Sequence, residues 1–314
     1  MKDRLRTHLL PGLVLENPLL SASGCFGAGL EGASTGESGI LGAIVTKTVT
    51  LRPRAGNPPP RIFETSGGLL NSIGLANPGI ESFLERDLPG ALALGPPVIV
   101  NIGGETSGEY AALAERLQDS GAAALEVNLS CPNVQGGSLP FSTDPDACRR
   151  VVSELRRATD LPLFVKLSPN THAVVEVACA AVEGGADGLT LINTLLGMAV
   201  DWRRRRPRIG MGVAGYSGPP VKPVALRIVH QVRRAVGVPI LGVGGIQSAE
   251  DVCEFLVAGA SAVQIGTAWF TDPRAGSWIL SRLERLLAEE DTSVDDLVDS
   301  MGKERRSGRG HGCA

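Results

Sequence analysis

Pro239-Ile240-Leu241-Gly242-Val243-Gly244-Gly245 and Ala262-Val263-Gln264-Ile265-Gly266-Thr267 are two short apolar runs, each ending at glycine. A run of this length bounded by glycine predicts a strand buried on both faces, the kind found in a parallel sheet. Counting these as 239–243 and 262–266, six more runs precede them, at 19–23, 43–46, 98–101, 124–128, 163–166 and 188–193. Segments with helical spacing fall between most of them, at 110–117, 148–158, 174–182, 224–236 and 252–257. Parallel neighbours need crossover connections, usually helices. Eight such strands therefore predict an α/β fold, a (β/α)8 TIM barrel with insertions on the catalytic face. An open doubly wound sheet is the alternative.

The joints repeat as well. Gly42-Ala43, Gly121-Ala122, Gly185-Ala186 and Gly259-Ala260 each precede an apolar run. Glycine there is expected to close the preceding helix in the left-handed conformation. The 314 residues show no linker or shift in composition, so a single domain over 1–314 is expected. The Gly- and Arg-rich tail, 303–314, is expected to be disordered.

A formal net charge of -3 gives no general attraction to nucleic acid or to an acidic membrane. The six cysteines are scattered without a Cys-x-x-Cys pair, which fits a reducing compartment, the cytoplasm. Residues 1–16 carry neither a signal-peptide core nor an apolar span of about 20 residues, and no membrane insertion is expected. Two insertions, 51–85 and 195–220, are rich in Gly, Pro and Arg and directly follow strands. In a barrel these loops form the catalytic face, so lids and substrate contacts are expected there. The run Arg203-Arg204-Arg205-Arg206 is expected to be a solvated basic surface.

The strand ends carry Ser23, Lys47, Asn101, Asn128, Cys131, Lys166, Asn193, Gly244, Gly245, Gly266 and Thr267. Amides supply donors and acceptors and lysines supply positive charge, a combination suited to a planar, anionic ligand such as a flavin or nucleobase. The four histidines are dispersed, so neither a metal cluster nor a Ser-His-Asp triad is expected. The glycines ending the last two strands suit a phosphate held by backbone N–H groups; equally, they could only make tight turns. Cys131, in Asn128-Leu129-Ser130-Cys131-Pro132-Asn133, follows a strand and is fixed by proline. Its position alone leaves open whether it is reactive or an inert small side chain.

Four segments in order, Thr46-Lys47-Thr48, Asn71-Ser72-Ile73-Gly74-Leu75-Ala76-Asn77-Pro78-Gly79, residues 128–133 and Ile192-Asn193-Thr194, together resemble the signatures of dihydroorotate dehydrogenases. With Ala22-Ser23-Gly24-Cys25-Phe26-Gly27, the resemblance is most to class 1, type B, with type A, the fumarate-using homodimer that also has a cysteine base, as the alternative, and runs from about Pro18 to Asp272. It implies FMN held by Ser23, Lys47, Thr48, Asn101, Asn128, Lys166, Ile192, Gly218, Gly244, Gly245, Gly266 and Thr267. It also implies dihydroorotate or orotate bound by Lys47, Asn71, Ser72, Ile73, Gly74, Leu75, Asn128, Asn193 and Thr194. Cys131 would be the general base that takes the proton from carbon 5 while hydride leaves carbon 6 for the flavin. Lys166 would stabilise negative charge on the reduced flavin.

The chain has no iron-sulfur pattern and no second nucleotide motif. The resemblance therefore implies a partner subunit with FAD and a [2Fe-2S] cluster that passes electrons to NAD. It further implies a heterotetramer around a homodimer core, serving pyrimidine biosynthesis. Two other readings fit some of the same residues: an FMN barrel acting on RNA, which the acidic balance disfavours, and a non-redox barrel for a phosphorylated metabolite.

Overall fold

The computed structural model describes residues 2–129 and 139–303. Eight parallel strands make up its main sheet: β1 (Leu19–Ser21), β2 (Ile44–Val45), β3 (Val98–Ile102), β4 (Ala124–Asn128), β5 (Leu163–Lys166), β6 (Gly188–Leu191), β7 (Ile240–Val243) and β8 (Ala262–Ile265). Each coincides with one of the apolar runs read from the sequence, β3 extending one residue past its run to Ile102. Their hydrogen-bonded order is β1-β8-β7-β6-β5-β4-β3-β2, the chain order on a ring. The ring closes where β1 meets the start of β2. Leu20 and Ala43 form a parallel bridge, and Gly42 N donates to Leu19 O at 2.8 Å. Ser21 Oγ completes the seam, accepting from Val45 N at 2.9 Å and donating to Val45 O at 3.2 Å. The fold is a closed (β/α)8 barrel, not an open sheet.

Successive side chains along each strand alternate between the two faces of the barrel wall. The outward set, including Val100, Val127, Val165, Leu189, Ile240 and Val263, packs in one core with helices α1 (Ser107–Leu117), α2 (Pro145–Ala158), α3 (Val174–Glu183), α4 (Lys222–Arg233), α5 (Ala249–Ala258) and α6 (Ala275–Glu289). The inward set forms a separate cluster. Leu20, Val45, Ile99, Ala124, Phe164, Leu241 and Ala262 meet inside the barrel and pack with Leu9, Leu13 and Leu15. The last three belong to an antiparallel hairpin, Thr7–Leu10 with Leu13–Leu15, which closes the N-terminal end of the barrel.

Three of the four joint glycines take the expected left-handed conformation: Gly121 (φ 88°), Gly185 (φ 105°) and Gly259 (φ 117°). Gly42 does not. Its reason is close approach, since a Cβ there would run into the backbone oxygen of Asn17.

The two insertions fold together. Leu195–Met198, Val213–Ser217, Leu69–Asn71 and Ile62–Glu64 form one four-stranded antiparallel sheet in that order. The join between the insertions is the pairing of Gly215 with Asn71 and Ser217 with Leu69. One face of this sheet buries Leu70 and Ala214 with Ile209, Phe63 and Tyr216. The arginine run occupies a small hairpin, Val200–Asp201 paired with Arg206–Pro207. Arg203, Arg204, Arg205 and Arg206 are all exposed there. The backbone of Arg204 and the nearby guanidinium groups hold the Asp201 carboxyl below its usual range, with Arg208 3.2 Å away. Among the described residues, no helix is long and apolar enough to cross a membrane. Cys131 and the tail at 304–314 lie outside the described residues.

Candidate active site

The inward face of the barrel changes character one step above its apolar cluster. The same alternation that points Ala124 inward does so for Glu126 and Asn128. It continues Ile99 to Asn101, Phe164 to Lys166 and Ala262 to Gln264. Glu126 is fully buried, and its carboxylate collects four hydrogen bonds: Asn101 Nδ2 at 2.6 Å, Thr190 Oγ1 at 2.9 Å, Gln264 Nε2 at 2.5 Å and Lys166 Nζ at 3.4 Å. A buried carboxylate needs such partners, because an isolated charge in an apolar interior is very costly. With their NH2 groups committed to Glu126, the Asn101 Oδ1 and Gln264 Oε1 atoms are buried without a hydrogen-bond partner among the described residues.

Above this polar layer, at the C-terminal ends of the strands and against the antiparallel sheet, lies a cavity of about 370 Å³. That volume falls in the ordinary range of roughly 300–1,000 Å³ for small-molecule sites. Ser23, Lys47, Thr48, Asn128, Lys166, Ile192, Gly218, Gly244, Gly245, Gly266 and Thr267 all line it. So do Asn71, Ile73, Gly74, Leu75, Asn193 and Thr194. Two residues assigned to ligands by the resemblance do not. Asn101 is fully buried beneath, on Glu126. Ser72 turns away, its hydroxyl accepting from Asn57 Nδ2 at 2.9 Å.

Amides form a chain across one side of the cavity. Asn193 Nδ2 donates to Asn128 Oδ1 at 3.4 Å, and Asn128 Nδ2 to Thr48 Oγ1 at 3.4 Å. The buried Tyr110 hydroxyl, from α1, fixes the end of β4 by donating to Asn128 O at 2.8 Å. Asn77 braces the loop after Asn71, donating to Leu75 O at 2.7 Å and to Thr50 Oγ1 at 2.8 Å while accepting from Gly79 N at 2.9 Å. Leu75 accordingly sits at φ 55°, a conformation uncommon outside glycine.

Around the ends of β7 and β8 the lining includes Gly218, Gly244, Gly245 and Gly266, beside Val221, Ile246 and Phe270. Gly245 has φ 78°, and a Cβ there would come within 2.9 Å of Gly218 O and of Lys222 N, the first residue of α4. Thr267 Oγ1 donates to Ser217 Oγ at 2.8 Å, tying the end of β8 to the antiparallel sheet. Cys25 lines the cavity too. Desolvation pushes its thiol up to about 11, against the opposing pull of Lys166 and Lys47. Among the described residues no group of three or more His, Cys, Asp or Glu side chains converges to hold a metal ion.

The family model described as dihydroorotate dehydrogenase matches residues 5–287. This chain belongs to the dihydroorotate dehydrogenase family. Relatives named "Dihydroorotate dehydrogenase B (NAD(+)), catalytic subunit" are similar over nearly their whole lengths. The one from Geotalea uraniireducens is 51% identical over 93% of this chain and 95% of its own. That from Geobacter sulfurreducens is 50% identical over 93% and 96%, and that from Geobacillus kaustophilus 47% over 95% of each. The type B resemblance seen in the sequence thus agrees with the names of these members of the family.

Sequence reasoning missed two groups in this family member. Glu126 sat inside an apparently apolar run, although an acidic residue in a buried strand, two positions before Asn128, was the available signal. Ile62, Leu69, Tyr216 and Ser217, which line the cavity from the antiparallel sheet, fall in the two insertions where substrate contacts are expected, but no motif singles them out individually. Their place depends on the pairing of two distant insertions.

Proposed function

We propose that the protein oxidises dihydroorotate to orotate on an FMN held in the barrel-mouth cavity, and that the electrons pass to NAD through a partner subunit. The observation that carries this reading is the lining of the cavity. Gly218, Gly244, Gly245 and Gly266 line it together with the amides of Asn71, Asn128 and Asn193 and with Lys47 and Lys166. The donor set suits a flavin. The N–H groups of Gly244, Gly245, Gly266 and Thr267, near the start of α4, are suited to a phosphate. Lys166 and the amide of Asn128 are suited to the ring system. Ser23, Lys47, Thr48, Ile192 and Gly218 complete the proposed FMN contacts, with Asn101 acting from below. FMN, when bound, supplies the hydride acceptor.

For the substrate, Asn71, Asn128, Asn193 and Thr194 offer the donors and acceptors that orient a pyrimidine ring, with Ile73, Gly74 and Leu75 against it. Ser72 supports that loop through Asn57. Lys47 offers positive charge to the substrate carboxylate. Cys131 is the proposed general base at carbon 5. A cysteine's ordinary pKa, roughly 8.5, suits proton removal near neutral pH. The partner in this reading carries FAD and a [2Fe-2S] cluster, joins a homodimer core in a heterotetramer, and works in the cytoplasm.

The test is anaerobic mixing of flavin-loaded protein with dihydroorotate while flavin absorbance is followed. Bleaching is expected, and a flavin that stays oxidised would overturn the reading. Cys131→Ala should keep its flavin yet reduce it at least about a hundredfold more slowly, the scale of losing a general base. An unchanged rate would remove Cys131 from the mechanism.

A further inference from the structure

Glu126 touches neither the cavity nor, in the proposed function, any ligand. It is nevertheless the centre of the polar layer beneath both. It is a fully buried carboxylate, and Lys166, the lysine that reaches the cavity from the same layer, lies against it at 3.4 Å. The Lys166 side chain is itself only 7% exposed, so water screens this pair weakly. Three further donors hold the carboxylate in place from β3, β6 and β8.

We propose that Glu126 is a positioning residue that sets the reduction potential of the flavin by balancing the charge of Lys166. The inference rests on the flavin reading above. Lys166 alone would favour the reduced flavin, which carries negative charge, and would hold the electrons that must leave for a second carrier. A buried anion one hydrogen bond away offsets that field and keeps the electrons transferable. The same carboxylate orients Asn101 and Gln264 by taking their NH2 groups, which leaves their oxygens facing other ways.

The experiment compares flavin midpoint potentials in the holoenzyme, measured by equilibration with a reference dye, for wild type, Glu126→Gln and Thr190→Val. Glu126→Gln removes one negative charge and preserves shape. Its potential should move to more positive values, with flavin reduction by dihydroorotate retained and steady-state turnover lowered at the electron-exit step. Thr190→Val removes a neutral hydrogen bond to the same carboxylate and should leave the potential where it is. A purely structural role for Glu126 would lower stability or flavin content in both variants without this sign of shift. If Glu126→Gln does not fold, Glu126→Asp, which draws the charge back from Lys166 by one methylene, must give a smaller shift of the same sign. A potential unchanged or more negative in the flavin-loaded Glu126 variant overturns this inference alone. Wild-type protein that takes up no flavin overturns both the inference and the function it rests on.

Discussion

The barrel interior has two storeys made by the same strands and the same alternation of side chains. The lower, with Leu20, Ile99, Phe164 and Leu241, is apolar and sealed by the N-terminal hairpin. The upper, with Asn101, Glu126, Lys166, Thr190 and Gln264, is polar and equally buried. Two residues along a strand, a rise of about 6.6 Å, separate a layer that holds the barrel together from one that prepares it for a charged, hydrogen-bonding ligand. The lower layer gains from burial without geometric demands. The upper layer is tolerable only because each charge has a partner, and its shape is therefore set by hydrogen bonds.

Substitutions should separate these roles. Phe164→Ala, in the lower layer, should cost about 3–5 kcal/mol of stability, read as an earlier urea midpoint, while the folded fraction keeps its flavin. Loss of flavin without loss of stability would break the division. Ser21→Ala, at the seam, strips the buried Val45 N–H of its partner and should cost about 1–3 kcal/mol. A midpoint equal to wild type would mean that the barrel closes without that hydroxyl. Gly245→Ala, on the rim, forces a side chain into a left-handed position and against the backbone of Gly218 and Lys222, and should cost at least about 1–2 kcal/mol in the flavin-free chain. Its main effect should be a purified protein depleted of flavin. Full flavin content would remove Gly245 from the proposed phosphate site.

The strands were legible because burial on both faces leaves uninterrupted apolar runs, and the strand ends named most of what lines the cavity. Lys47, Asn128, Lys166 and Asn193 could be read as a cavity set because each closes or directly follows its run at the end that a parallel barrel turns toward one mouth. Gly42 was misread because a close backbone approach and a left-handed turn both select glycine, and sequence does not distinguish them. The burial of Asn101 and the turning away of Ser72 were invisible for a different reason. Each is decided by a hydrogen-bond partner, Glu126 or Asn57, far from it in the chain. The antiparallel sheet was the least legible element, since each strand is only three to five residues long and pairs across the fold.

That sheet has a consequence for how the protein is made. Its first two strands, Ile62–Glu64 and Leu69–Asn71, leave the ribosome before β3, yet the strand that joins them to the second insertion, Val213–Ser217, follows β6. Throughout the synthesis of four barrel strands the first insertion waits without its partner. A nascent chain halted before Val213 would therefore carry much of the barrel wall but only half of the cavity's cover. Recognition of any ligand that needs both halves begins late in translation, well after the hairpin that plugs the other end has emerged.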